Sequence, residues 1–264
     1  MVLGNCISYA NISTIFLCKE NRKNIWRQKN WYFESLGLSN NLNHIALILD
    51  GNKRWAKLNN YTNLYGYTKG FENIKNLVKY TLVNKIPHLT IFALSSENFN
   101  RTSINVIYDI IYDNFSKTFT ELVEKNGVKI NIFGSRKNLP NKILKIFDNI
   151  ETKSVNNKNL NLSIAFNYGF KDEIKNVLKK IVDESLNINL NKQKEIDNLF
   201  YIGALPDPDI LIRTGGYKRL SNFIMYNLTY TELFFTKTLW PEFTEKEFNS
   251  IINQYSKIER KYGL

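Results

Sequence analysis

This chain of 264 residues has only two cysteines and two histidines. Cys6 and Cys18 form no CxxC pair and have no further cysteines to join, which excludes a disulfide framework and fits a reducing compartment. His44 and His88 are too few for a histidine-rich zinc site. No apolar run approaches the length of a membrane-spanning helix. A GxGxxG after a strand and a GxxxxGK[ST] loop are both missing, so dinucleotide and Walker-type sites have no support. Long basic runs are missing too, although 36 Lys and Arg against 24 Asp and Glu leave a net charge of +12. Lysines interleave with carboxylates, as in Lys171-Asp172-Glu173, so most of the excess reads as solvated surface with a few site arginines. That pattern disfavours a dedicated nucleic-acid binder, while the overall charge still points to anionic partners.

A hydrophobic content of 43% lets one domain bury a sizeable core. The 38 asparagines are scattered through periodic segments, so they mark compositional drift rather than a prion-like tract. Residues 1–43 are mixed in character and lack the basic leader of a cleaved signal. They read as a loose extension or a misplaced start, leaving 44–264 as the working domain. Apolar runs at Ile45–Leu49, Leu89–Leu94, Val128–Phe133, Leu160–Phe166 and Ile210–Ile212 predict strands. Phe71, Ile74, Leu77, Val78 and Leu82 recur at helical spacing, and further helices are expected over Ile104–Val123, Ile143–Ile150 and Ile174–Ile181. Residues 186–205 read as a surface loop with one short helix. Alternation of this kind implies a single α/β domain whose central, mainly parallel sheet is flanked by helices.

Chemistry concentrates in three places. Asp50-Gly51-Asn52-Lys53-Arg54-Trp55 follows the first strand directly, where open α/β sheets place their ligands. Amides of the helix start, with Lys53 and Arg54, could hold a diphosphate, and Asp50 a hard cation. Asp-Gly is equally an ordinary turn, so this segment alone decides nothing. The second place is Ser95-Ser96-Glu97-Asn98-Phe99-Asn100-Arg101. The third is the block from Pro206 to Phe243, which carries Arg213, Gly215, Gly216, Arg219, Ser221 and Glu232.

With these motifs in this order, the chain from about His44 to Gly263 resembles the cis-prenyltransferases, close to bacterial undecaprenyl diphosphate synthases. The resemblance implies a hydrophobic product tunnel and a Mg2+-dependent enzyme. Such an enzyme adds isopentenyl diphosphate repeatedly to an allylic diphosphate such as farnesyl diphosphate, giving a long Z-polyprenyl diphosphate as carrier-lipid precursor. It also implies site residues. Asp50 matches the catalytic, metal-binding aspartate, Asn98 the proton acceptor and Glu232 a second metal position. Gly51, Asn52, Lys53, Arg54 and Trp55 match the allylic-diphosphate loop, with Asn63 and Tyr67 following it. Ser95, Ser96, Glu97, Phe99 and Arg101 match a substrate-contact segment, and Arg213, Arg219, Leu220 and Ser221 the isopentenyl-diphosphate binders. Phe99 reads equally well as core, and apolar tunnel residues cannot be told from core. Ala93, small at a tunnel position, argues against a very short product.

Five positions depart from the family pattern. Asn63 and Tyr67 replace an arginine and a histidine, Tyr217 a glutamate, Lys218 a histidine, and Lys261 the arginine of a C-terminal Arg-x-Gly. A weakened allylic site, partly restored by Lys53, is the expectation. The resemblance further implies a cytoplasmic homodimer with peripheral membrane contact and no nucleic-acid partner. The family's non-catalytic partner subunits are the alternative, though these typically lose the aspartate that Asp50 preserves here.

Overall fold

The computed structural model describes residues 42–99, 104–183, 185–186 and 188–259, without the side chains of 114–117. The first 41 residues, most of the expected extension, lie outside the described residues, as do Arg101 and Lys261. Leu42 is already part of the core.

Six parallel strands form one sheet in the order β3-β4-β2-β1-β5-β6. These are β1 (His44–Ile48), β2 (His88–Ser95), β3 (Val128–Phe133), β4 (Leu160–Tyr168), β5 (Ile210–Arg213) and β6 (Glu232–Phe235). Side chains alternate between faces along a strand, so Ile45 and Leu47 of β1 enter the larger core while Ala46 and Ile48 enter the smaller one. All five residues of β1 are buried, which explains its unbroken apolar run. The two neighbours of β1, β2 and β5, are reached in opposite directions across the sheet. The chain just past β1 therefore lies at a topological switch point, where a crevice opens.

Between β1 and β2 run α1 (Asn52–Leu58) and α2 (Asn63–Val83). Thr62 starts α2 by accepting from the Tyr65 amide at 3.2 Å, satisfying one of the first turn's unpaired donors. Its inner stripe runs through Gly66, Gly70, Asn73, Ile74, Leu77, Val78 and Thr81. The short α3 (Ser96–Phe99) follows β2 directly.

The single helix expected over Ile104–Val123 is corrected to three pieces: α4 (Ile104–Ile110), a π-helical turn (Ile111–Phe115) and α5 (Ser116–Asn126). A π turn adds a residue and shifts the phase of the face beyond it. Here Ile110 and Ile111 are both buried, and Phe119, Leu122 and Val123 take up the inward stripe after it. Helices α6 (Asn141–Ser154) and α7 (Phe170–Asp183) extend the two expected segments, and α8 (Gln193–Asp197) is the short helix of the 186–205 region. Helix α3, strand β6 and helix α9 were not anticipated. Strand β6 lies at the sheet edge and is only half-buried, and its apolar run, Leu233–Phe235, is just three residues long. Helix α9 (Glu245–Tyr255) buries Phe248, Ile251, Ile252 and Tyr255, a spacing the sequence does display. Its start is marked by Thr244 accepting from the Glu247 amide at 3.3 Å.

Candidate active site

Asp50 stands two residues past β1, at the switch point. Its amide donates to Thr214 Oγ1 at 2.9 Å, and the Thr214 hydroxyl reaches the Asp50 carbonyl at 2.9 Å. Thr214 is fully buried and so fixes the Asp50 backbone to the end of β5. Sequence reading missed Thr214, because its partner lies 164 residues away.

The Asp50 carboxylate is held from two sides. Arg54, one turn into α1, donates to Oδ1 at 3.1 Å, and Arg213 of β5 donates to Oδ2 at 2.8 Å. Arg213 is 3% exposed, so its charge depends on that partner. It also donates to Ser221 Oγ at 2.6 Å and to the Arg219 carbonyl. Its Nε is buried and meets no acceptor among the described residues. Arg54 donates to the Gly215 carbonyl at 2.7 Å. Gly215 has φ of 86°, and a Cβ there would lie 2.4 Å from Arg54 Nη2, so turn and packing both require glycine.

Three concavities meet here. A polar cleft of ~1130 Å3 is lined by Asp50, Ser95, Glu97, Asn98, Arg213, Tyr217, Arg219, Ser221 and Asn222. A second, of ~700 Å3, is lined by Asp50, Gly51, Asn52, Lys53, Arg54, Tyr67 and Asn98. The third is an apolar cavity between α2, α4 and the sheet, with Phe71, Ile74, Ile91, Ile107, Ile111, Phe147 and Ile164 in its wall. Leu49 and Ala93 line all three, while Asn52 and Tyr67 stand between the second cleft and the apolar cavity. The Lys53 ammonium lies 6.0 Å from the Tyr67 ring centroid. Asn52 Oδ1 is buried with no donor among the described residues.

Other expected site residues lie elsewhere. Trp55 faces outward, donating to Glu242 at 2.8 Å and stacking on Tyr61 and Tyr65 with centroids 5.6 and 6.1 Å away. Asn63 is exposed at the first position of α2 and lines neither polar cleft. Ser96 donates to Asp172 at 2.9 Å and, with Phe99, lines a neighbouring cleft instead. Phe99 also packs against the main core, and Leu220 against the smaller one. Glu97 faces both that neighbouring cleft and the first polar cleft, fixed by Asn222 at 2.8 Å.

Within one chain, Glu232 stands apart from Asp50. Glu232 pairs with Ile210 at the start of β6, whereas Arg213, at the other end of β5, pairs with Phe235. Three residues of strand separate the two levels by roughly 10 Å. The Glu232 amide donates to the Asp209 carbonyl at 2.9 Å, on the same sheet end as the buried His44. No group of three or more His, Cys, Asp or Glu residues able to hold a metal occurs among the described residues. Asp50 is thus the one expected metal-ligating carboxylate at the meeting of the clefts.

Comparison with known proteins places this geometry. A family model described as "Putative undecaprenyl diphosphate synthase" matches residues 48–263. An isoprenyl transferase of Aquifex aeolicus is 36% identical over 222 residues, covering 83% of this chain and 95% of its own length. A tritrans,polycis-undecaprenyl-diphosphate synthase (geranylgeranyl-diphosphate specific) of Pyrobaculum aerophilum is 35% identical over 226 residues, with the same coverages. Among solved structures, lavandulyl diphosphate synthase of Lavandula x intermedia, in complex with dimethylallyl diphosphate, superposes with a TM-score of 0.78 at 28% identity. That match covers 84% of this chain and 98% of the other. A Campylobacter jejuni structure described as a probable undecaprenyl diphosphate synthase gives 0.70 at 28% identity, over 85% and 100%. Strand order, the switch-point aspartate and a family match running from β1 to beyond α9 agree: this chain belongs to the undecaprenyl diphosphate synthase family of cis-prenyltransferases.

Proposed function

We propose that residues 44–264 form a catalytic domain condensing isopentenyl diphosphate repeatedly onto an allylic diphosphate, farnesyl diphosphate being the expected primer. The product is a long Z-polyprenyl diphosphate of the undecaprenyl class. The observation that carries this reading is Asp50 clasped by Arg54 and Arg213 where two polar clefts and one apolar cavity meet.

In each round the allylic C1–O bond breaks and diphosphate leaves with the electron pair. The C4 carbon of isopentenyl diphosphate bonds to C1, and a proton leaves its C2 as the new double bond forms. Lys53 and Arg54 are preplaced donors for the charge that grows on the leaving diphosphate. Arg213 and Arg219, with Ser221, hold the second diphosphate, since the planar guanidinium fork matches phosphate oxygens. Asn98 lines both polar clefts. An amide is too weak a base to take the proton in water, so it orients the substrate while diphosphate or water carries the proton away.

The donor set fits Mg2+. Asp50 would supply a hard oxygen at the rim of both clefts, with substrate phosphates and water as the ion's further ligands. Bound there, it would supply Lewis-acid stabilisation to the departing diphosphate. With the ion held at Asp50, Arg54 or Arg213 would be available to phosphate.

The apolar cavity would receive the growing chain. Each buried CH2 is worth about 0.8 kcal/mol, so a long product leaves slowly. Homodimer formation is supported by Ile174, Leu178 and Val182, an exposed apolar stripe on one side of α7. Contact with an anionic bilayer is supported by the outer surface of α1 and α2. There Leu58, Tyr61, Leu64 and Tyr65 are exposed around stacked rings. The stretch 51–71 holds four cations and no carboxylate, a composition suited to an interface with anionic lipid. No helix among the described residues is long and apolar enough to cross a membrane.

The deciding experiment measures incorporation of labelled isopentenyl diphosphate into lipid, with farnesyl diphosphate, Mg2+ and detergent, beside Asp50→Ala. Metal-dependent product that vanishes in the variant is expected, and its chromatographic length reads out the chain class. Folded protein that extends no allylic primer would instead indicate a non-catalytic partner subunit.

A further inference from the structure

We infer that Tyr217 is a positioning residue, an aromatic spacer whose ring face supports the phosphate-facing arginines of both polar clefts and leaves their N–H edges for hydrogen bonding. The inference rests on the diphosphate-site reading above and adds a residue to it.

Tyr217 follows the Gly215-Gly216 turn. Both glycines have positive φ, and their amides donate to the carbonyls of Thr238 and Thr236 at 2.7 Å. So anchored, the turn sets the Tyr217 ring among three guanidiniums. Their Cζ atoms lie 4.1 Å (Arg219), 4.7 Å (Arg54) and 5.9 Å (Arg213) from its centroid. Burial does not hold the ring there, because Tyr217 is 43% exposed. Nor does its hydroxyl, which has no hydrogen-bond partner among the described residues.

Three guanidiniums this close repel one another. Asp50 offsets the charge of Arg54 and Arg213, but Arg219 has no carboxylate within ion-pair distance among the described residues. The electron-rich ring face fills that role, with a contribution of about 0.5–2 kcal/mol per cation depending on solvent exposure. Geometry matters as much as magnitude. A guanidinium resting on a ring uses its flat face and leaves its in-plane N–H donors available to phosphate. Arg54 lines the allylic cleft and Arg219 the other, so one ring steadies donors on both sides of the reacting carbons.

The test compares Tyr217→Leu, Tyr217→Phe and Tyr217→Trp by steady-state kinetics for both substrates. Inorganic pyrophosphate binding is followed by calorimetry, and thermal melts check folding. The leucine variant should melt normally, bind pyrophosphate about 3- to 10-fold more weakly and raise both KM values by a similar factor, with kcat changed less. Phenylalanine and tryptophan should restore what leucine loses. An unchanged or tighter-binding leucine variant overturns the inference. A phenylalanine variant as weak as leucine does so too, by assigning the effect to the hydroxyl. So does a KM change confined to one substrate, because the ring would then serve one cleft only. Wild-type protein that binds neither diphosphate would overturn the site reading and this inference together, whereas normal wild-type binding isolates the failure to Tyr217.

Discussion

Arg213 donates to Asp50 at 2.8 Å across 163 residues of sequence, joining the ends of two adjacent strands at the centre of the molecule. The arginine is buried and the aspartate is not, so the pair is more than a surface ion pair. It places a cation that has no other carboxylate partner among the described residues next to the group expected to hold metal.

Arg213→Lys tests the fork directly. Lysine keeps the charge but cannot serve Asp50, Ser221 and a phosphate in one plane. A lost charged hydrogen bond costs about 1.5–3 kcal/mol, so KM for isopentenyl diphosphate should rise roughly 10- to 100-fold. Steady-state kinetics at saturating allylic substrate would measure it, and an unchanged KM would remove Arg213 from the binding site.

Gly70→Ala sets two opposing effects against each other. In an exposed helix interior, alanine would stabilise by about 1 kcal/mol. Here a Cβ would stand 2.2 Å from Asn52 Oδ1 and 3.0 Å from the Trp240 ring, and overpacking costs about 1–3 kcal/mol. The variant should therefore melt lower than wild type. It should also bind allylic diphosphate less well, since Asn52 must leave its place between cleft and cavity.

The pH dependence of stability should carry the mark of His44. Its Nδ1 donates to the Pro206 carbonyl at 2.6 Å and its Nε2 accepts from Thr90 at 2.7 Å. Burial lowers its pKa from 6.5 to about 4. The folded state favours the neutral ring, so this contribution is full above pH 6.5, declines as pH falls from there and levels off below about 4. Over that range the loss is on the order of 3 kcal/mol. Urea midpoints between pH 7 and 4 should fall more steeply for wild type than for His44→Gln; parallel curves would rule the histidine out as the cause.

Chelation should separate chemistry from binding. EDTA is expected to abolish turnover, and Mg2+ to restore it. Calorimetric binding of isopentenyl diphosphate to Arg213, Arg219 and Ser221 should persist without metal. Full turnover in EDTA would exclude the metal role given to Asp50.

Most of this fold was legible because the central strands of a parallel sheet are buried on both faces and therefore read as continuous apolar runs. Strand β6 was not read, since its run of only three apolar residues, Leu233–Phe235, is short and stands half-exposed at the sheet edge. The π turn was invisible for a different reason, because the apolar spacing around Ile110 and Ile111 also suits an uninterrupted helix. In the site, Asp50 to Arg54 stood out as a charged turn directly after a buried strand. Trp55, in the same segment, belongs to the outer surface, because consecutive helical residues point in different directions.

The sequence by itself determined the alternation of strands and helices, the family, and which segments carry charge at strand ends. Those properties are local, written in periodicity and short motifs. Only the tertiary structure decided that Arg213 and Thr214 close on Asp50, that Tyr217 stands among three arginines, and that Glu232 lies at the opposite end of the sheet. Each of these depends on strand order and register between segments more than a hundred residues apart, or on a turn anchored to a neighbouring strand. Local patterns encode how a segment is buried, and leave open which other segment it will meet.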